Sequence, residues 1–232
     1  MTKNVAVLLA AGSGKRMGGS EPKQYLTVAG RTVLEHSLRA FHSHDGIHEV
    51  IIVVHADYMD RVRTMVAAYP KVRHVVEGGR ERYDSSVAAI RAYSDEDPEA
   101  INLLIHDAAR PLVSHRIISD CIEALSTCRA VDVAVPATDT IVEVDAQGHI
   151  ARIPPRALLR NVQTPQCFRL ALIAEAYRRG LSDPDFVTTD DCGVVFRYVP
   201  DEPIRVVEGE TCNVKLTYPE DLALAERLLR AD

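Results

Sequence analysis

Residues 5–26, VAVLLAAGSGKRMGGSEPKQYL, join an apolar run to a loop that is rich in glycines and cations. Gly12 and Gly14 allow backbone N–H groups to approach a phosphate closely, because neither has a side chain in the way. Arg16 and Lys23 add two positive charges to the same loop. These residue types in this order predict a phosphate-binding loop.

Two common phosphate loops do not fit this stretch. A P-loop requires G-x-x-x-x-G-K-[ST], but Leu9 stands at its first glycine and Arg16 at its hydroxyl position. A dinucleotide fingerprint requires G-x-G-x-x-G, and Met17 stands at its third glycine. A nucleotidyltransferase loop fits better, since its cations would stabilise the charge that develops on an α-phosphate and on departing pyrophosphate.

The elements that must position this loop alternate along the chain between short apolar runs and amphipathic segments. Strands are predicted at 5–11, 49–54, 72–76, 101–106 and 131–137, and helices at 32–44, 57–69, 82–94 and 114–128. This alternation predicts an α/β fold with a doubly wound, mostly parallel, Rossmann-like sheet, in a single domain over residues 1–232. Ligands bind beyond the carboxyl ends of such strands, which is where the first loop lies.

The alternation stops at residues 139–160, where two stretches with strand-like spacing flank a turn that contains Gly148. This pattern predicts a β-hairpin. We expect it to project as an arm that mediates dimerisation, with a local edge hairpin as the alternative. A helix near 169–179, a polar loop at 182–191, a strand near 204–207 and a last helix within 217–231 complete the prediction, with Thr217 as the N-cap.

The first loop and six later motifs resemble the 2-C-methyl-D-erythritol 4-phosphate cytidylyltransferase family of the sugar-nucleotidyltransferase superfamily. The later motifs are GGRERYDSSVAAI (78–90), HDAARPLV (106–113), DTIVEV (139–144), QTPQCF (163–168), TTDD (188–191) and NVKLTYPEDLALAE (213–226). The resemblance covers nearly the whole chain. It implies transfer of CMP from CTP to 2-C-methyl-D-erythritol 4-phosphate, which gives 4-diphosphocytidyl-2-C-methyl-D-erythritol and pyrophosphate in non-mevalonate isoprenoid biosynthesis.

The resemblance also implies three groups of site residues. The catalytic cations would be Arg16, Lys23 and Lys215. The nucleotide-binding residues would be Ala10, Ala11, Gly12, Gly14, Gly79, Arg80, Ser85 and Ala108. The acceptor-binding residues would be Asp107, Arg110, Thr140, Arg156, Thr164 and Thr189, with Arg156 and Thr164 contributed by a partner subunit of a homodimer. Mg²⁺, or another divalent cation, would bind mainly through the CTP phosphates, with Asp107 as a further candidate ligand.

Several of these residues have a simpler interpretation. Ser85 has the position of an ordinary helix cap, and Arg80 replaces an acidic residue expected in some members, which leaves a backbone contact there. Arg156 is an ordinary exposed arginine if the protein is monomeric. His106 is either a proton shuttle or, as we favour, a packed strand-end side chain. The histidine cluster is interpreted as a solvated helix end rather than a metal site: His42, His44 and His48.

Composition limits the classes of partner. The chain of 232 residues has a formal net charge of -6, which argues against bulk attraction to nucleic acid or to an anionic membrane. Its 5 cysteines form no C-x-x-C pair, as expected for reduced thiols in the cytoplasm. The sequence shows neither a signal-peptide pattern nor an apolar run of membrane-spanning length. We therefore expect a soluble cytoplasmic enzyme.

Two other functions remain open from the sequence. A cytidylyltransferase for D-ribitol 5-phosphate, or another polyol phosphate, would share the same scaffold, although HDAARP favours methylerythritol phosphate. A non-catalytic CTP-binding protein is the alternative from another class. Three predicted cations around one phosphorus, Arg16, Lys23 and Lys215, argue against it, since binding alone does not need them.

Overall fold

A mostly parallel sheet forms the centre of the computed structural model, which describes residues 2–12, 14 and 21–230. Its strands and those of two small ladders are β1 (Lys3–Ala10), β2 (Thr27–Val28), β3 (Arg31–Thr32), β4 (Glu49–Val54), β5 (Val72–Glu77), β6 (Ile101–Asp107), β7 (Ala130–Pro136), β8 (Glu143–Val144), β9 (Ile150–Arg152), β10 (Arg160–Val162), β11 (Gln166–Arg169) and β12 (Arg205–Glu208). The helices are α1 (Val33–His42), α2 (Met59–Val66), α3 (Arg82–Arg91), α4 (His115–Ala124), α5 (Leu170–Gly180), α6 (Asp191–Tyr198) and α7 (Pro219–Leu229).

The large sheet has the order β10-β7-β11-β6-β1-β4-β5, and β12 is added alongside β7. β6, β1, β4 and β5 pair in parallel, as does β12 with β7. β10 and β11 run antiparallel to their neighbours. The predicted α/β fold and its five strands are therefore confirmed, whereas the insertion of β11 between β6 and β7 was not predicted.

Helices cover both faces of this sheet because its strands are apolar on both faces. In β1, Ala6 and Leu8 join one core cluster with side chains of α1, α2 and α4. Val5 and Val7 join a second cluster with side chains of α3, α5 and α6. This division is the doubly wound arrangement that the sequence predicts.

The local sequence explains where several helices begin. Thr32 Oγ1 accepts a hydrogen bond from the N–H of Glu35 at 3.1 Å and so caps α1. α7 begins one residue later than predicted. Its N-cap is Tyr218, because the Asp221 carboxylate accepts the N–H groups of both Thr217 and Tyr218, at 2.6 and 2.8 Å. The prediction of Thr217 as the cap is therefore wrong.

Two further differences concern helix boundaries. The segment predicted as a helix over 57–69 is α-helical only over Met59–Val66, after a 3₁₀ turn at Ala56–Tyr58. No helix was predicted at Asp191–Tyr198, where α6 begins with the Asp190 carboxylate accepting the N–H of Gly193 at 2.8 Å. Among the described residues, no helix combines the length and apolarity needed to cross a membrane.

The predicted hairpin is present, but its ladder is shorter than residues 139–160. β8 and β9 pair antiparallel around a turn in which Asp145 Oδ1 accepts the N–H groups of Gln147 and His149. The end of the predicted range is not part of the hairpin, because Arg160 already begins β10 in the large sheet. The arm exposes large apolar side chains: Val144, Ile150, Ile153 and Leu158.

Candidate active site

A cavity of about 450 Å³ lies at the carboxyl ends of β1 and β6, beside the first turn of α3 and the segment before α7. Its lining residues are Leu9, Ala11, Gly12, Gly14, Lys23, Gln24, Gly79, Arg80, Glu81, Arg82, Ser85, Asp107, Ala109, Lys215 and Thr217. The size is that of a small-molecule site. Segments far apart in sequence thus meet where the fold class predicts a ligand site.

The loop after β1 forms one wall of the cavity. Gly14 has a φ of +65°, a conformation that a residue with a side chain rarely adopts. The side chain of Gln24 holds the start of the loop, because its Nε2 donates to the carbonyls of Ala10 and Gly12 at 2.7 Å each. Arg16 lies outside the described residues, so its catalytic role stays a prediction.

The two described lysines that the sequence predicts to be catalytic both line this cavity. Lys23 Nζ donates to the carbonyl of Leu216 at 2.5 Å, which joins the first loop to the segment before α7. Lys215 Nζ lies 2.6 Å from Asp107 Oδ2. Two ammonium groups from opposite ends of the chain therefore lie at one cavity, where they can stabilise negative charge.

Asp107 is the centre of a buried charge cluster. Besides Lys215, its carboxylate contacts Arg82, whose Nε lies 3.3 Å from Oδ1. Arg82 also reaches Asp191, with Nη1 2.6 Å from Oδ2, and the Tyr177 hydroxyl donates to the other oxygen of Asp191 at 2.6 Å. Arg82 is thus held between two carboxylates.

The electrostatics of this cluster fix its ionisation. Burial alone would raise the pKa of Asp107, but the charges of Arg82 and Lys215 outweigh it and hold that pKa well below its ordinary value. Burial would lower the pKa of Arg82, and the neighbouring Asp191 and Asp107 raise it instead. Asp107 is therefore a carboxylate at neutral pH, and it keeps the Lys215 ammonium at the cavity.

The residues predicted to bind the nucleotide base, Gly79, Arg80 and Ser85, also line this cavity. Ser85 is 4% exposed and is not the cap of α3, since Glu81 and Asp84 form a capping box there. A Cβ on Gly79 would lie 2.2 Å from the Cβ of Asp84, so only glycine fits at this position. Arg80 also lines the cavity. The helix-cap interpretation of Ser85 is therefore wrong, and Ser85 lines the cavity instead.

Thr164 is the one predicted partner residue that the structure places in the chain's own site. Its Oγ1 accepts the N–H of Asp107 at 3.1 Å and lies 2.9 Å from Nδ1 of His106. The prediction that a partner subunit contributes Thr164 is therefore wrong. The reason is the pairing of β11 with β6, which brings the preceding residues beside the end of β6.

His106 is a packed side chain, as we favoured. It is fully buried, and its Nε2 lies 3.0 Å from the carbonyl of Arg110. Burial lowers the pKa of His106 to about 4, so the imidazole is neutral at neutral pH. Because both ring nitrogens have partners within the chain, His106 orients Thr164 and the loop after β6 rather than moving protons.

Ala108 and Arg110 follow Asp107 but do not line the cavity. The side chain of Ala108 is buried in the core, and Ala109 lines the cavity in its place. Arg110 Nη1 donates to the carbonyl of Asn213 at 2.7 Å. Arg110 thus connects the end of β6 to the segment that carries Lys215, and its predicted acceptor contact stays a prediction.

Thr189 lies in a second cavity of about 490 Å³, which is lined by Glu81, Arg82, Tyr83, Phe186, Val187, Thr188, Thr189 and Asp190. Glu81 and Arg82 also line the first cavity. The two cavities therefore share the start of α3. Thr189 lies beside the charge cluster, as a residue that contacts an acceptor would.

Thr140 and Arg156 lie on the arm and line neither of these cavities. Arg156 Nη1 donates to the carbonyl of Thr138 at 3.1 Å, and both Thr140 and Arg156 are exposed. The chain's own fold does not bring them to Asp107. Their predicted contact with the acceptor stays a prediction.

Sequence reasoning missed four residues that organise the site. Gln24, Arg82 and Asp191 all occur in motifs that the resemblance already singles out, so a charged or amide side chain within those motifs was the available signal. Tyr177 lies in the middle of α5 and carried no such signal. Its role depends on the packing of α5 beside α6, which spacing does not reveal.

The donor set at the cavity fits a divalent cation held chiefly by a triphosphate. Within residues 2–12, 14 and 21–230, no three His, Cys, Asp or Glu side chains group as a metal site. Asp107 and Glu81 are the carboxylates that line the first cavity. Both oxygens of Asp107 already contact cationic side chains, which leaves most of the coordination to the ligand.

Comparison with known proteins decides the family. The family model described as "IspD: 2-C-methyl-D-erythritol 4-phosphate cytidylyltransferase" matches residues 4–231. The chain belongs to this family. It is therefore a nucleotidyltransferase of the cytidylyltransferase kind, and the resemblance drawn from its motifs is confirmed.

Two relatives are similar to this chain over nearly its whole length. A 2-C-methyl-D-erythritol 4-phosphate cytidylyltransferase of Thermobifida fusca is 49% identical over 231 residues, which cover 97% of this chain and 92% of that protein. The crystal structure of 4-diphosphocytidyl-2C-methyl-D-erythritol synthase from Anaerococcus prevotii has a TM-score of 0.87 at 32% identity, with 99% of each chain covered.

A third relative is a larger protein whose name gives a different activity. It is the bifunctional ribulose 5-phosphate reductase/CDP-ribitol pyrophosphorylase Bcs1 of Haemophilus influenzae. The identity is 43% over 232 residues, which cover 99% of this chain but 48% of that protein. The chain thus corresponds to about half of the Haemophilus protein.

Proposed function

We propose that the chain transfers CMP from CTP to 2-C-methyl-D-erythritol 4-phosphate, with release of pyrophosphate. The observation that carries this proposal is the meeting of Lys23, Lys215 and Asp107 in one cavity beside the glycine loop. Membership of the family makes CTP the donor. The product is 4-diphosphocytidyl-2-C-methyl-D-erythritol, a step of non-mevalonate isoprenoid biosynthesis.

The chemical step is an in-line displacement at the α-phosphorus of CTP. A phosphate oxygen of the acceptor forms the new P–O bond, and the bond from the α-phosphorus to the pyrophosphate oxygen breaks. No general base is required, since a phosphomonoester has its second pKa at about 6 and is ionised at neutral pH. Catalysis then rests on positioning and on charge neutralisation.

In this proposal the three catalytic cations share one task, and Asp107 and Arg82 hold Lys215 in place. Lys23 and Lys215, together with Arg16, neutralise the charge that grows on the α-phosphate oxygens and on the leaving pyrophosphate. Asp107 keeps Lys215 in place through the contact of 2.6 Å. Arg82 holds the other oxygen of Asp107 and prevents that carboxylate from turning toward the phosphates.

The nucleotide would lie between the glycine loop and the start of α3. Gly12 and Gly14 offer backbone N–H groups to the triphosphate, and Ser85 reads the edge of the cytosine. A hydroxyl selects a pyrimidine because a wrong base would leave buried polar groups unpaired. Mg²⁺, or another divalent cation, would be held mainly by the triphosphate and would neutralise part of its charge, with Asp107 as a further candidate ligand.

We infer that the active form is a homodimer joined through the arm at residues 139–160. The exposed Arg156 would then clamp the acceptor phosphate of the neighbouring subunit, since a guanidinium offers a bidentate fork. Thr140 would accompany it, while Asp107, Arg110, Thr164 and Thr189 act from the subunit that binds CTP. The thiols of Cys121, Cys128, Cys167 and Cys192 form no disulfide bond, which supports work in the reducing cytoplasm.

One observation favours a second candidate acceptor. The Haemophilus relative is named as a CDP-ribitol pyrophosphorylase and is 43% identical to this chain. Transfer to D-ribitol 5-phosphate would use the same cations and the same bonds. Only the contacts with the polyol, around Asp107 and Thr189, would differ.

Turnover with a panel of acceptors tests the proposal. The purified protein is incubated with CTP, Mg²⁺ and either polyol phosphate, and pyrophosphate release is followed, with ATP in place of CTP as the control. We expect release only with CTP and methylerythritol phosphate. Faster release with ribitol phosphate would support the second candidate. Tight CTP binding without release for any acceptor would mean that the protein is a non-catalytic binder.

A further inference from the structure

The short segment that carries Lys23 is held from outside the cavity by α2 and the turn before it. The ring of Tyr25 stacks on that of Tyr58, with centroids 4.2 Å apart and planes 10° from parallel. The Arg61 guanidinium lies over the same Tyr25 ring, 5.1 Å from its centroid. Tyr58 of the 3₁₀ turn and Arg61 of α2 thus both contact Tyr25, the residue two positions after Lys23.

Arg61 also reaches the residue two positions before Lys23. Its Nη1 forms a hydrogen-bonded ion pair with the Glu21 carboxylate, and its Nη2 lies 3.5 Å from the carbonyl of Tyr25. Arg61 therefore contacts both ends of the segment 21–25. A planar guanidinium suits this task, because it can hydrogen-bond in its plane and stack on an aromatic ring at the same time.

Both sides of this contact are packed in the core. Tyr25 is 2% exposed, and Val62, the neighbour of Arg61 in α2, is 1% exposed in the core. On its other side the segment is joined to the cavity through the contact of Lys23 with Leu216. A displacement of segment 21–25 would therefore carry Lys23 with it.

We propose that Arg61 is a positioning residue for Lys23, which it fixes through Glu21 and Tyr25. The inference rests on the proposed function, in which Lys23 stabilises the charge of the transition state. A preorganised cation is worth more than a mobile one, because no reorganisation is needed as the charge develops. Arg61 does not line the cavity, so its loss acts on the rate through the geometry of Lys23.

Arg61→Met tests this, with Arg63→Met as the matched control. Arg63 lies on the same helix, is exposed, and contacts Asp60 of its own helix at 3.5 Å. We expect Arg61→Met to lower kcat about tenfold and to change KM for CTP much less, as for a contact that matters in the transition state. Arg63→Met should match the wild type, and Arg61→Lys should recover part of kcat because it keeps a cation beside Glu21.

A double-mutant cycle separates positioning from general weakening. If Arg61 acts through Lys23, then Lys23→Met combined with Arg61→Met should be no slower than Lys23→Met alone. Losses that simply multiply would overturn the inference, as would an Arg61→Met rate equal to that of Arg63→Met. Should Arg61→Met fail to fold, the isosteric Glu21→Gln takes its place in the same cycle.

The same measurements distinguish failure of the inference from failure of the proposed function. No turnover of the wild type with CTP and any polyol phosphate overturns the proposed function. A wild-type rate for Lys23→Met overturns the role of Lys23, and the positioning role of Arg61 with it. A large loss for Lys23→Met, with none for Arg61→Met or Glu21→Gln, overturns the inference alone.

Discussion

The cavity at the strand ends and the arm differ in how far the chain itself completes them. At the cavity, Asp107 is 8% exposed and both of its oxygens contact cations of the same chain. On the arm, Ile150 is 62% and Leu158 79% exposed, and Arg156 bonds only to a nearby carbonyl among its described hydrogen bonds.

This difference indicates that the cavity and the arm have different roles. The part that must neutralise charge is prearranged within one chain, because burying unpaired charges is costly. The arm carries two predicted acceptor contacts, Thr140 and Arg156, and exposes large apolar side chains, as an interaction surface does. Substitutions in the two regions should therefore change different kinetic parameters.

The largest effect is expected at Lys215. Lys215→Met should lower kcat about 1,000-fold, since it removes a preorganised cation from the transition state and leaves Asp107 with one cationic partner fewer. Steady-state kinetics with CTP and methylerythritol phosphate measure it. Lys71→Met is the control, because Lys71 donates to the carbonyl of His44 away from the cavity. Similar rates for both variants would mean that the cavity is not the catalytic centre.

The next effect is the pH dependence of stability caused by the buried carboxyl group of Asp132 in β7. Asp132 is 8% exposed and shares the Gln166 amide with Asp190, at 3.1 and 2.8 Å. Burial, with the charge of Asp190, raises the pKa of Asp132 from 3.8 to about 6. The folded state then binds this proton more tightly than the unfolded state, so stability falls as pH rises between these two values, by up to about 3 kcal/mol.

Asp132→Asn isolates that contribution. Urea unfolding of both proteins at pH 4.5 and at pH 7 gives the free energies of unfolding. Between pH 4.5 and pH 7, the free energy of unfolding of the wild type should fall relative to that of Asp132→Asn, because asparagine does not titrate. An equal pH dependence of both proteins would show that ionisation of Asp132 does not lower the stability.

A smaller effect is expected on the arm. Arg156→Met should raise KM for the acceptor about tenfold and leave KM for CTP unchanged, because the guanidinium would contact the acceptor phosphate alone. Arg152→Met is the matched control, since Arg152 lies on the same arm and pairs with Glu143 at 2.9 Å. Equal effects of the two substitutions would remove Arg156 from the acceptor site.

The smallest signal, a partial recovery, tests whether the two regions come from different subunits. Lys215→Met and Arg156→Met chains are mixed and allowed to exchange. A mixed dimer would contain one intact site, so activity should rise to about a quarter of the wild-type value at limiting acceptor concentration. Mixed dimers that form without any gain would mean that Arg156 serves its own chain.

Much of the fold was predictable because β-strands and amphipathic helices leave a periodic signature. β1, β4 and β6 follow directly from their apolar runs, and the glycine loop follows from its position after β1. The insertion of β11 was not predictable, since four residues carry too little pattern, and it misled the assignment of Thr164. Tyr177 was missed because its role depends on which helices pack together, whereas Arg82 lies in a motif whose charged side chains were an available signal.

A competition between acceptors tests the central claim most directly. The wild-type protein is given limiting CTP, Mg²⁺ and equal concentrations of 2-C-methyl-D-erythritol 4-phosphate and D-ribitol 5-phosphate, and the cytidine diphosphate products are separated by mass. The ratio of products reports the ratio of kcat/KM values. We expect 4-diphosphocytidyl-2-C-methyl-D-erythritol to predominate. A mixture dominated by CDP-ribitol, or CTP left unconsumed, would contradict it.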